Sequence, residues 1–299
     1  MQNDNLKSYF LLHLIVFIWG FTAVLGALIS LDALPLVWWR MSIAVLLIFI
    51  YMKIKKIDFS LKNSTKGLML FAGLIIALHW LTFFKAIKVS NVSITLACLS
   101  TGAFFTSVLE PIFFKRKVIW YEVLFGLIVI GGLYIIFKVE GDYWLGIVLG
   151  LSSAFLSALF SVINGKFAKE YNASTISFYE LLGGVLFLSL FLAVTSKFDK
   201  AFFMLSLEDF GWLFILASVC TAYAFIASVA VMKHLSPYTV MLTINLEPVY
   251  GIILALFIFE EKEKMNPQFY IGATIILLTV ILNGVIKNVE KKKRLKINS

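Results

Sequence analysis

About ten long apolar stretches follow one another along this chain, separated by gaps of only a few polar residues, and that succession leaves few folds open. Lipid offers the backbone no hydrogen-bond partners, so a chain that crosses a bilayer in separate segments does so as helices. Each crossing takes about 20 mostly apolar residues. By that measure helices are expected near 9–30, 34–52, 67–88, 91–113, 119–138, 143–165, 174–196, 209–232, 237–258 and 267–287. Of the 299 residues 61% are apolar and 14% charged, against roughly 25% charged in soluble domains. The expected fold is therefore all-α and polytopic, with ten transmembrane helices embedded in a lipid bilayer.

The first stretch, Leu11 to Ile29, is longer than the apolar region of a secretory leader and has neither a basic start nor a small-residue cleavage site. It is expected to stay as the first helix. The longest polar gap, Lys53 to Lys66, leaves no room for a catalytic or nucleic-acid-binding domain outside the membrane. The basic run Lys291, Lys292, Lys293, Arg294 and Lys296 follows the last apolar stretch, where such runs anchor to anionic lipid. No nucleic-acid partner is expected. Cys98 and Cys220 both fall within apolar stretches and act there as small hydrophobes.

Basic residues set the orientation. With the N-terminus inside, the inner segments hold 18 of the 26 Lys and Arg residues and the outer segments 6, leaving Arg40 and Lys85 within helices. Lys and Arg gather on the cytoplasmic side. The expectation is a multi-pass protein of the cytoplasmic (inner) membrane with both termini inside.

The two halves of the chain resemble each other. Ser93 to Lys117 can be laid on Thr239 to Glu263 at an offset of 146, which also pairs Ser90 with Ser236, Phe113 with Phe259 and Gly126 with Gly272. Five helices per half is an odd number, so the halves are expected to insert in opposite directions as an inverted repeat. The expected units are residues 1–140, residues 141–288 and a basic cytoplasmic tail, 289–299.

Four short segments carry a resemblance to a known family: Trp19-Gly20-Phe21, Phe84-Lys85-Ala86-Ile87-Lys88-Val89-Ser90, Leu246-Glu247-Pro248-Val249 and Phe257-Ile258-Phe259-Glu260. Together they resemble the EamA-type transporters of the drug/metabolite transporter superfamily, in which a Pro is followed about a dozen residues later by a Glu, as Pro248 is by Glu260. The first half departs from that pattern, with Thr101-Gly102 in place of the Pro and Phe114-Lys115 in place of the Glu. The resemblance implies a ten-helix carrier of small metabolites, often amino acids or related compounds moved outward, working without nucleotide hydrolysis.

Ionisable groups inside a span are costly unless paired or hydrated, which makes each a candidate for function. Glu247 falls near the middle of the ninth stretch, beside Pro248, which has no amide hydrogen to bond back to Ile244. It is a candidate to bind a substrate ammonium group or to take up a proton, the candidate coupling ion. Arg40 matches a carboxylate by its bidentate fork, so that Arg40 and Glu247 together would hold a zwitterion. Glu180, 140 residues after Arg40, reads as its pseudo-symmetric equivalent. His79 titrates near neutral pH and, with Trp19, Trp80, Tyr223 and Asn245, completes the expected substrate-binding set. Gly20, Gly102 and Pro248 are the expected hinges. Glycines such as Gly131, Gly132, Gly146, Gly150, Gly183 and Gly184 fit close helix packing.

Other classes leave fewer marks. His13, His79 and His234 are far apart and form no zinc-protease motif, and no Walker A loop is present. No nucleophile elbow of the Gly-x-Ser-x-Gly kind occurs, and nothing resembles a selectivity filter. No cofactor or metal site is expected. The alternatives to a carrier are a small-molecule channel or an intramembrane enzyme. The sequence leaves substrate identity and oligomeric state open.

Overall fold

The computed structural model of the protein describes residues 2–115, 117, 120–139 and 141–297. Met1, Arg116, Val118, Ile119, Glu140, Asn298 and Ser299, and with them parts of the expected units and tail, lie outside the described residues. The chain is helical almost throughout: α1 (Gln2–Leu28), α2 (Ala33–Ile54), α3 (Asn63–Val89), α4 (Val92–Leu99), α5 (Gly102–Phe114), α6 (Trp120–Val139), α7 (Trp144–Phe167), α8 (Ala173–Val194), α9 (Leu207–Ala217), α10 (Ala224–Val231), α11 (Pro237–Ile244), α12 (Glu247–Phe259) and α13 (Pro267–Ile297). A π-helical segment, Ser218–Tyr223, joins α9 to α10 into one rod. The last helix continues through most of the expected tail, to Ile297.

Among the described residues, eight helical segments are long and apolar enough to cross a membrane. They are α1 from Leu6, α2, α3, α4 with α5, α7, α8, the rod from α9 to α10, and α11 with α12. The apolar parts of α6 and α13 are shorter, Leu124–Ile136 and Pro267–Thr279. The chain is thus an all-helical, multi-pass membrane protein.

The two halves use the same pieces. α2 and α8 are both 22 residues long and start 140 residues apart, so Arg40 and Glu180 occupy equivalent positions. α4 and α11 are both 8 residues, α5 and α12 both 13, and each pair is 145 residues apart. Side chains cap the equivalent N-termini, Asn91 for α4 and Ser236 for α11. Even the non-glycine residues of positive φ fall in pairs, Lys56 with Ser196 and Lys115 with Glu260. The structural offset of 145 over the fourth spans corrects the expected 146 by one residue, which makes Gly102 the counterpart of Glu247.

Packing repeats in the same way. α3 packs on α7 and α8, while α1 packs on the rod from α9 to α10, and α2 packs on it as well. α1 crosses α12 as α7 crosses α5, and α6 pairs with α13. Helices in lipid gain little from hiding apolar surface from one another, so close backbone approach through small residues matters more. At the α3–α8 crossing a Cβ on Gly73 would lie 2.0 Å from the Glu180 carbonyl oxygen, and one on Gly183 would lie 2.2 Å from that of Leu70. Gly132 and Gly272 face each other between α6 and α13. Gly146 and Gly150 abut Ser90 and Cys98 of the same chain, whereas Gly131 has open space beside it.

Candidate functional site

A cavity of about 60 Å³ lies where α1, α2, α3, α7, α10, α11 and α12 converge. Its polar wall consists of Thr22, Arg40, His79, Ser157, Ser161, Ser228 and Glu247, set among Trp19, Trp80, Phe83, Phe160 and Phe225. The break between α11 and α12 explains how a carboxylate reaches this wall. Pro248 tolerates only the first turn of a helix without losing a hydrogen bond, so the chain turns at Asn245 and Leu246 and restarts at Glu247. The restart aims Glu247 inward, where it is buried to 6% exposure.

The π-helical segment does the equivalent work opposite. Its wider turn frees backbone carbonyls, as π-bulges commonly do at functional sites. The freed Cys220 carbonyl accepts the Trp19 indole N–H at 3.0 Å. The Thr221 hydroxyl accepts the Arg40 Nε–H at 2.6 Å and donates to the Leu216 carbonyl. Arg40 also lies over Trp80, with Cζ 3.9 Å from the ring centroid. Its Nη1 has no hydrogen-bond partner.

The Arg40 guanidinium and the Glu247 carboxyl group therefore share one cavity. Each acts electrostatically on the other, yet no ion pair joins them among the described residues. His79 is held differently. Its Nδ1 is 2.9 Å from the Ser153 carbonyl oxygen and 2.8 Å from that residue's hydroxyl. A carbonyl only accepts, so Nδ1 carries a hydrogen and Nε2 is left for other partners. His79 is bound to Ser153 and not to Glu247.

Of the residues singled out in the sequence, Trp19, Arg40, His79, Trp80 and Glu247 meet at the cavity. Two do not. Tyr223 is 48% exposed and lines a separate outward-facing groove with Leu47, Tyr51 and Ile226. The π-turn rotates the rod so that Phe225 and Ser228 take the inward positions instead. Asn245 is buried at the helix break but stands off the wall, because Ile244 and Glu247, three residues apart, occupy the inward face. Among the expected hinges, Gly102 and Pro248 do sit at helix breaks. Gly20 lies within unbroken helix, where a Cβ would come 2.7 Å from that of Tyr250, so it is a crossing point between α1 and α12. The hydroxyls of Thr22, Ser157, Ser161, Ser228 and Thr221 were not singled out. Two of them carried a signal, since Ser157 and Ser161, with Ser153 before them, recur every fourth residue on α7 and share one face.

The cavity is unevenly closed. At one end it reaches Met232 and Val240, within a turn of the junction from α10 to α11. Towards the opposite end two carboxylates of the second half bond to the first. Asp209 accepts from the Ser30 amide at 2.7 Å and from its hydroxyl at 2.6 Å. Glu263 accepts from the amides of Val92 and Ser93, both at 2.9 Å, at the start of α4. Lys88 adds a bond to the Ile29 carbonyl. Among the described residues no group of three His, Cys, Asp or Glu side chains is placed to hold a metal ion.

The EamA-like transporter family model matches residues 6–138 and again residues 144–285, once in each half. The chain belongs to the EamA-like transporter family. EamA-like transporters are members of the drug/metabolite transporter superfamily. A solved crystal structure of a protein, 12% identical, aligns with a TM-score of 0.67 over 92% of this chain and 96% of that one, and so shares the fold of this chain. No curated protein matches.

Proposed function

We propose that this EamA-like chain is a secondary transporter that exports zwitterionic small metabolites, amino acids or close relatives, across the cytoplasmic membrane by alternating access. The observation that carries the proposal is the meeting in one cavity of the Arg40 guanidinium and the Glu247 carboxyl group with no bond between them among the described residues. A buried charge without a partner is costly, and a ligand bearing both a carboxylate and an ammonium group relieves both at once. Arg40 meets the carboxylate with its unpartnered Nη1, and Glu247 meets the ammonium. Trp19, Trp80, Phe160 and Phe225 take an apolar side chain between them.

The repeated elements support a ten-span arrangement of two inverted five-helix units, 1–140 and 141–288, with both termini and the tail 289–299 cytoplasmic. In that orientation the carboxylate clasps seal the outer end and the cavity faces inward, ready to load cargo. Gly102 and Pro248 are the hinges, placed at the equivalent breaks of the fourth span in each unit.

The test is counterflow in proteoliposomes preloaded with L-phenylalanine, with putrescine, uridine and succinate as comparators. Saturable exchange of the amino acid alone supports the proposal. Exchange of a comparator in its place, or a non-saturating flux typical of a channel, overturns it.

A further inference from the structure

Glu180 is the structural counterpart of Arg40, yet it does not line the cavity. It is fully buried on α8, where α8 meets α3 at Gly73 in backbone contact. Asn164 of α7, also buried, faces it. The two side chains are not aligned into a hydrogen bond, and among the described residues neither Glu180 oxygen nor either polar atom of the Asn164 amide has a partner. Ser177, one turn before Glu180 on α8, also has a buried hydroxyl with no partner.

The cluster continues a polar line that begins in the cavity. Ser153, Ser157, Ser161 and Asn164 follow at spacings of four, four and three on α7 and so occupy one face. Ser153 holds His79, Ser157 and Ser161 line the cavity, and Asn164 reaches Glu180. Among the described residues no fixed charge compensates Glu180. On α2, Arg40 is bound to Thr221 and Trp80, and Lys53 lies over Phe49 and Phe59. On α3, Lys66 lies over Tyr179, His79 is bound to Ser153, Lys85 is exposed and Lys88 reaches Ile29. The one ionisable group of α7, Lys166, lies over Phe113 and Phe114, and α10 has none.

We propose that Glu180 and Asn164 form a proton-binding site, separate from the cargo cavity. The chemistry of the pair decides the ligand. A carboxylate only accepts, so it can use the Asn164 amide N–H but leaves the Asn164 oxygen unsatisfied. A carboxylic acid satisfies all of these groups: its O–H donates to Asn164 Oδ1 while Nδ2–H donates to its other oxygen. The bound proton comes from water as hydronium and returns to water when the site opens, leaving the carboxylate to be hydrated. The proposal depends on the transport reading only for the use made of the proton.

The site is tested without cargo, by infrared difference spectra between low and high pH of the full-length protein in phosphatidylcholine vesicles. The wild type is expected to give a protonated-carboxyl band that E180Q lacks entirely and E247Q keeps, and that shifts in N164L, where the acid loses its hydrogen-bond partner. A wild-type band that persists undiminished in E180Q, or that stays unmoved in N164L, overturns the proposal. Thermal unfolding in the same vesicles checks folding. If E180Q does not fold, E180D decides, since a band displaced from its wild-type frequency supports the site and an undisplaced one refutes it.

Discussion

Arg40 shows at the scale of one residue how a costly buried charge is held within a membrane protein. Three features hold the guanidinium: the Thr221 hydroxyl, the face of Trp80 and the more distant ring of Phe84, 5.4 Å from Cζ. Each uses the planar fork that lysine lacks. Arg40→Lys keeps the charge but loses the bond to Thr221 and the guanidinium's contact with Trp80. A hydrogen bond to a charged group contributes roughly 1.5–3 kcal/mol, so affinity for L-phenylalanine is expected to fall at least about tenfold. Calorimetric titration of the purified variants measures it, and an unchanged dissociation constant would rule out Arg40 as the carboxylate anchor. The sequence made Arg40, Glu247 and His79 visible because an ionisable side chain within an apolar run stands out. The serines and threonines of the wall did not stand out, because a helical hydroxyl usually bonds its own preceding turn, as Ser218 does to the Phe214 carbonyl.

At the scale of elements, much of the design was legible because helices in lipid announce themselves by length. The helix breaks were harder. Pro248 pointed to the break between α11 and α12, but the matching break at Ser100 and Thr101 has no proline. The π-helical segment left no mark at all, since SVCTAY reads as ordinary apolar helix, and it is this segment that turned Tyr223 outward. The helix ends carry their own prediction. Lys115 closes α5 in the left-handed region, at φ 53° and ψ 43°, a conformation that costs roughly 1 kcal/mol or more for a residue with a Cβ and little for glycine. Lys115→Gly is therefore expected to raise thermal stability by about 1 kcal/mol, read as a higher unfolding midpoint in detergent. A lower midpoint would show that the lysine side chain contributes more than its backbone costs.

At the scale of the whole molecule, the two halves are joined at one end by carboxylates and at the other by neutral hydrogen bonds, from Thr175 to the Asp58 carbonyl and from Tyr179 to that of Phe59. The Asp209 and Glu263 clasps reach from the second half to Ser30 and to the amides that start α4, where a carboxylate also meets the positive end of the helix dipole. In the proposed alternating access, rocking about the cavity has to break these bonds, so their strength would set how much of the population opens at that end. Glu263→Gln keeps the shape but turns one acceptor oxygen into an amide nitrogen that confronts a backbone N–H. Losing one charge-assisted bond of about 1.5–3 kcal/mol moves a two-state equilibrium by roughly ten- to a hundredfold. A cysteine placed at Phe83, on the cavity wall towards the clasped end, reports the change in a background freed of Cys98 and Cys220. In Glu263→Gln its reaction with a water-soluble maleimide is expected to quicken at least about tenfold, while a cysteine at Met232, at the other end of the cavity, slows or holds. Equal rates at Phe83 in both backgrounds would mean that the clasps tie down loops without governing which way the cavity opens.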